Sequence, residues 1–223
     1  MQHINKDYES IFSKQYKAWV DKLELENKKH PDSRTYYDDI VMDLYRCQKG
    51  VCAYTEMFIC VPHLYSECNW DNGKYDISET HKYKRNDHLG ELEHFNPLLK
   101  SSKYWLWSNF FMIHSTINGL KSNKPVLDFL KPDLDDYQPE KHFDYDESTH
   151  RFIPNTDIED ENIRLQIQYM IDEVLFLNHG VVRLERENYI KSIKQKIEFK
   201  SEYKVDRFFT SVKWCLGDVY AIM

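Results

Sequence analysis

Glycine and proline are scarce in this chain of 223 residues, at 6 and 7, which argues against long flexible linkers. No apolar run approaches the roughly 18 residues that a membrane-spanning helix needs. The opening MQHINKDYESIF holds no basic stretch followed by an apolar one, so no secretory signal is visible and a cytosolic protein is expected. Positive charge is not in surplus either: the formal net charge is −7. That disfavours a chain that binds nucleic acid tightly on its own, because such binding neutralises phosphates with a basic face. Affinity then has to come from a partner or from local basic groups. Lys82, Lys84 and Arg85 form one candidate group, and Lys100, Lys103, Lys121 and Lys124 another; an ordinary solvated surface accounts for them equally well. The 5 cysteines (Cys47, Cys52, Cys60, Cys68 and Cys215) are odd in number and widely spaced. A disulfide framework is therefore not expected, and free thiols are.

What is present suffices for a core. Hydrophobic residues make up 41% and aromatics 15%, which excludes a disordered chain. Tyr8, Ile11, Phe12, Tyr16, Trp19, Val20 and Leu23 recur at helical steps and predict a helix over 7–29, closed by Pro31. Ile40, Leu44 and Cys47 predict a second over 35–47, with Gly50 as its stop. Residues 51–62 (VCAYTEMFICVP) read as a short strand or hairpin arm. Residues 63–90 read as an irregular insertion with an Asn72-Gly73 turn, 91–95 as a second strand, and 114–123 as a helix. Residues 125–155, with Pro125, Pro132, Pro139 and Pro154, read as a loop-rich connector. The best helical pattern runs over 158–177, ending at a Gly180 cap; a further helix is predicted over 181–200, and a last helix or mixed element over 203–221. The fold class is α+β, with segments 1–50, 51–124, 125–155 and 156–223.

The chemistry concentrates in residues 93–121, EHFNPLLKSSKYWLWSNFFMIHSTINGLK. Phosphodiester hydrolysis needs a base to deprotonate water and a divalent ion, held by oxygen donors, to neutralise developing charge. His94 suits the base. Glu93 and the amide of Asn118 suit a hard ion such as Mg²⁺ or Mn²⁺. Asn109, ahead of the helix, is placed to orient His94, and Lys121, one helical turn beyond Asn118, to face a phosphate. Neighbouring strand residues point to opposite faces, so Glu93 and His94 reach one site only through a twist or bulge. The bland alternative is a surface carboxylate, a hydrogen-bonded histidine and capping asparagines.

The same stretch resembles the HNH endonucleases. Glu93-His94-Phe95-Asn96-Pro97 matches their acid-His strand, Trp107-Ser108-Asn109 the middle Asn, His114-Ser115-Thr116-Ile117-Asn118 the second metal-knuckle pair with its following ligand, and Lys121 a trailing Lys. The flanks, from Tyr37-Asp38-Asp39 through Gly50-Val51-Cys52-Ala53-Tyr54, then Leu127-Asp128-Phe129 onwards to Leu177-Asn178, Arg183 and Arg186, are similar to the HNH subunits of Septu and related retron defence systems. The resemblance implies a ββα-metal core embedded in a mainly helical domain. It also implies a metal-dependent nuclease in anti-phage defence, acting on nucleic acid (DNA sooner than RNA) beside an ATPase partner and away from membranes. His94 is then the base, Asn109 its positioner, Glu93 and Asn118 the ligands of one Mg²⁺ or Mn²⁺, and Lys121 the phosphate contact. The chain departs from the pattern at the structural zinc. Only Cys52 and His114 remain in register, because Thr55 and Ile117 cannot serve, and two ligands do not close a tetrahedral site. Loss of zinc is expected unless Cys47, Cys60 or Cys68 substitutes. Packing by Tyr54, Phe58, Phe110, Phe111 and Ile117 would then hold the core. The alternatives are a catalytically silent HNH-like adaptor that binds a partner ATPase or nucleic acid, and a zinc-stabilised DNA-binding module.

Overall fold

A computed structural model describes residues 1–76 and 87–217. Its helices and short antiparallel strand pairs make an α+β protein. The chain forms two compact units, one of Ile4–Cys52 with Ile59–Asn118, the other of Met1–His3, Ala53–Phe58 and Gly119–Met223. These interleaved units do not follow the four consecutive segments read from the sequence.

In the unit built on Ile4–Cys52, helix α1 spans Lys14–Leu25 and not 7–29. Ser13 starts it, its Oγ accepting from Tyr16 N at 3.3 Å. Upstream, the backbone N–H groups of Phe12 and Ser13 donate to Asp43 Oδ2 at 2.9 and 3.3 Å, so a side chain satisfies them in place of a helical ladder. Asp39 likewise accepts from Ser13 Oγ at 2.5 Å and Tyr75 N at 3.2 Å. Both acids are buried on helix α2, Tyr37–Gln48. Burial pushes the Asp43 carboxyl up to about 6, in spite of the Arg46 guanidinium that bonds it. Helix α2 ends as expected: Lys49 and Gly50 turn left-handed, and Gly50 N donates to Tyr45 O at 2.9 Å. At Gly50 (φ 74) a Cβ would lie 2.3 Å from the Cys60 carbonyl oxygen, so only glycine fits.

Residues 51–62 form no extended strand. Ile59 N and Cys60 N both donate to Gly50 O, and an isolated bridge joins Cys60 to His88. The first strands are β1 (Trp70–Asp71) and β2 (Lys74–Tyr75), paired across the Asn72-Gly73 turn. Strands β3 (Gly90–His94) and β4 (Phe110–His114) then pair antiparallel, and helix α3 (Ser115–Lys121) follows directly. A strand–strand–helix order is therefore present, but its second strand is 110–114 and its first is 90–94; the expected strand at 51–62 takes no part. Phe110, Phe111, Met112 and Ile113 are fully buried. Gln48, also buried, clamps the middle of β4: Oε1 accepts from Met112 N and Nε2 donates to Met112 O, each at 2.8 Å. At Gly90 a Cβ would fall 2.2 Å from the Tyr45 hydroxyl, so the start of β3 lies against α2 with no room for a side chain.

In the other unit, the expected connector contains a hairpin, β5 (Phe143–Asp146) with β6 (Arg151–Pro154). Asp146 organises its turn, accepting from Ser148 N, Ser148 Oγ and Thr149 Oγ1 at 2.6–2.9 Å. Helix α4 (Glu161–Tyr169) begins at Asp160, whose Oδ1 accepts from Asn162 N and Ile163 N. It widens into a π turn over Met170–Val174 that brings Met170, Ile171 and Val174 inward together. Gly180 does not cap this helix; it opens α5, Gly180–Glu198. Arg186 on α5 is buried, donating to Leu177 O at 3.0 Å and His150 O at 2.7 Å, with its guanidinium 4.7 Å from the Phe152 ring centre. Helix α6, Phe209–Leu216, is shorter than the predicted 203–221, whose last residues lie outside the described residues. Glu56 caps it, accepting from Thr210 N at 2.9 Å and Thr210 Oγ1 at 2.5 Å. Among the described residues no helix is long and apolar enough to cross a membrane.

Candidate active site

The register of β3 with β4 is unbroken, with Glu93 opposite Phe111 and His94 opposite Phe110. No bulge intervenes, so Glu93 and His94 leave the strand on opposite faces. Glu93 shares its face with Glu91, and His94 turns the other way.

The His94 ring meets Tyr104 and Phe110 edge-on, at 4.6 and 5.0 Å between centres. Its Nε2 lies 3.0 Å from the Tyr104 carbonyl oxygen. A carbonyl only accepts, so Nε2 carries the proton and Nδ1 keeps its lone pair. Burial lowers the ring to about 4, the Tyr104 bond works against that, and the charge of Lys100 adds to it. His94 is thus neutral at neutral pH, with one tautomer selected by the backbone. The residue is only 3% exposed.

Asn109 makes no hydrogen bond to the imidazole. Its Oδ1 accepts from Asn96 N at 2.8 Å and its Nδ2 donates to Asn96 O at 3.1 Å, while Phe95 N donates to the Asn109 carbonyl at 2.8 Å. The amide closes the chain just beyond His94, so its hold on the ring passes through the backbone, and the direct contact belongs to Tyr104. Sequence reasoning missed Tyr104 because a carbonyl contact leaves no mark on residue type.

Asn118 Nδ2 donates to Glu91 Oε2 at 2.8 Å. Glu91 was also missed; the available signal was its two-residue spacing from Glu93, which puts both carboxylates on one strand face. The bond fixes which end of the Asn118 amide is the donor and leaves Oδ1 as the acceptor end. A carboxylate at Glu93, a second at Glu91 and an amide oxygen at Asn118 are hard donors of the kind Mg²⁺ and Mn²⁺ take. The residues therefore fit such an ion in donor chemistry. Among the described residues, no three or more His, Cys, Asp or Glu side chains gather as a metal-holding group.

The remaining predicted residues fall elsewhere. Lys121 is completely buried, so the side chain expected to meet a phosphate is not presented to one. Cys52 is buried, and His114, at the end of β4, accepts from Thr116 N through Nδ1 at 3.2 Å. Burial pushes the thiols of Cys47 and Cys60 up to about 11 and about 12. Of the apolar residues expected to hold the core, Phe110, Phe111 and Ile117 are buried in the unit that carries the hairpin, while Tyr54 and Phe58 belong to the other unit. Among the basic candidates, Lys103 pairs with Glu24 at 2.5 Å and Lys124 donates to Glu173 O at 2.8 Å. Lys100 is exposed and in no ion pair among the described residues. Lys82, Lys84 and Arg85 lie outside them.

No protein-family model, curated protein or solved structure matches the chain.

Proposed function

We propose that this chain is a metal-dependent endonuclease of the HNH type that hydrolyses phosphodiester bonds in nucleic acid, DNA sooner than RNA, as the effector of an anti-phage defence system with an ATPase partner. The observation that carries the reading is the strand–strand–helix order over Gly90–Lys121. It sets the acid-His pair at the end of one strand, a loop-closing asparagine just before the second, and a further asparagine on the helix. Nδ1 of neutral His94 takes a proton from the attacking water, and the Nε2–H bond to the Tyr104 carbonyl steadies the imidazolium as it forms. Glu93 and Asn118, with Glu91 orienting the amide, would offer oxygen donors to Mg²⁺ or Mn²⁺ on the strand face opposite His94, and the ion would supply neutralisation of charge on the phosphate and leaving oxygen. For base and ion to serve one phosphate, the end of the strand has to twist.

One observation favours the second reading, a catalytically silent adaptor for an ATPase or a nucleic acid: His94 is 3% exposed and Lys121 0%. The two readings separate on turnover. Purified protein, alone and with candidate partners, is offered plasmid, single-stranded DNA and RNA with Mn²⁺. Under the nuclease reading, EDTA and His94→Ala each abolish cleavage while the circular dichroism spectrum is unchanged. A His94→Ala protein that cuts at the wild-type rate sinks the assignment, and no turnover together with a stable complex leaves the adaptor.

A further inference from the structure

A cleft of ≈ 380 Å³ is lined by Lys29, His30, Pro31, Asp32, Lys100 and Tyr104, and Tyr104 joins it to His94. We infer that this cleft receives the sugar-phosphate backbone of the nucleic-acid strand next to the bond that His94 acts on, with Lys29 and Lys100 as its phosphate contacts and Tyr104 as its stacking surface. The polymer rests on the nuclease reading; the cleft's own chemistry is that of a site for a phosphodiester anion. Three observations carry it. Tyr104 belongs to both places, because its carbonyl holds His94 Nε2 at 3.0 Å and its ring meets the imidazole at 4.6 Å. The two lysines are exposed and in no ion pair among the described residues, while nearby Lys28 and Lys103 are paired with Glu26 and Glu24. The walls are also cross-braced: His30 N donates to Ser102 O at 2.9 Å, Trp105 N to His30 Nδ1 at 2.9 Å, and Trp105 Nε1 to Pro31 O at 2.9 Å. Such bracing lowers the ordering cost of binding. Asp32 is the only acid in the lining, so the two cations prevail there on a chain whose net charge is −7. The volume lies at the small end of the roughly 300–1,000 Å³ typical of ligand clefts, and aromatic stacking beside paired cations is a sequence-tolerant way to hold a strand.

The test separates binding from cleavage. The full chain carrying His94→Ala binds fluorescent oligonucleotides in EDTA, single-stranded and duplex in separate arms, over a salt series. Adding Lys29→Ala and Lys100→Ala weakens binding about tenfold at low salt and flattens the slope of log K against log[salt] by about 1.4 for the single strand and about 1.8 for the duplex, as expected for two lost phosphate contacts. Lys28→Ala changes neither. Unchanged affinity and slope in the double variant overturn the cleft, as does failure of the His94→Ala protein to bind either oligonucleotide. Cleft-dependent binding with no turnover by wild-type protein keeps the cleft and removes hydrolysis. Turnover with cleft-independent binding does the reverse.

Discussion

At the scale of single residues, the candidate site works through amides and carbonyls as much as through charges. Asn109 fixes the chain beyond His94 with a donor and an acceptor on the same neighbour, Asn96. Glu91 does for Asn118 what Tyr104 does for His94: it selects an orientation. Such outer partners typically cost about 10–100-fold in metal affinity when removed. Glu91→Ala is therefore expected to raise the Mn²⁺ concentration for half-maximal cleavage by about that factor. Glu91→Gln, which still accepts from the Asn118 amide, is expected to move it much less. A metal titration of cleavage rate decides, and equal effects of the two variants remove the orienting role. The residue types His94, Glu93 and Asn118 were legible because chemistry names them. Glu91 and Tyr104 were not, because one is an ordinary surface acid and the other acts through its backbone. The burial of Lys121 was equally hidden, since lysine is mostly exposed and nothing in its spacing marks it otherwise.

At the scale of elements, the hairpin depends on contacts with α2. The absent side chain at Gly90 leaves room for the Tyr45 hydroxyl, which bonds His88 Nδ1 at 2.7 Å. Gly90→Ala is expected to destabilise by about 1–3 kcal/mol through overpacking. Tyr45→Phe removes the clashing oxygen, so the double variant recovers part of that loss, and a double-mutant cycle from urea denaturation reads the coupling. Strictly additive effects would mean that the hydroxyl is not what Gly90 accommodates. Helix α2 was legible through its periodicity and its glycine stop. Strand β4 was not: FFMI is buried on both faces and shows no alternation to separate it from any apolar run. Residues 51–62 have strand composition, but the N–H groups of Ile59 and Cys60 are both taken by Gly50 O, which no composition reveals. The β5–β6 hairpin was masked by prolines and acids that read as loop, although Asp146 is the residue that builds its turn.

At the scale of the whole molecule, two buried groups set opposing responses to acid. His94 stands at about 4 folded against 6.5 for the free side chain. The unfolded chain binds the extra proton between those values, so the contribution of His94 is complete above about 6.5 and is lost as pH falls towards 4. Asp43 stands at about 6 against 3.8. There the folded chain holds the extra proton, so its contribution is complete below about 3.8 and is lost as pH rises through 6. The two offset each other across most of the interval. Asp43→Asn removes one side of the balance. The fall in urea midpoint from pH 6.5 to 4, measured in EDTA, is expected to steepen in that variant and to flatten in His94→Gln. Parallel curves for Asp43→Asn and wild type would sink the Asp43 half of this account.

The interleaving of the two units also has a consequence in time. A chain made from its N-terminus supplies all of Ile4–Asn118 before it supplies helix α6. The unit carrying the acid-His strand can therefore close early in synthesis. Glu56, by contrast, emerges 154 residues before its partner Thr210. Until then a buried carboxylate waits without the helix it caps, together with the rest of Ala53–Phe58. The second unit is thus a late event by construction, and a nascent chain that stalls between the two holds a formed hairpin on an unfinished protein.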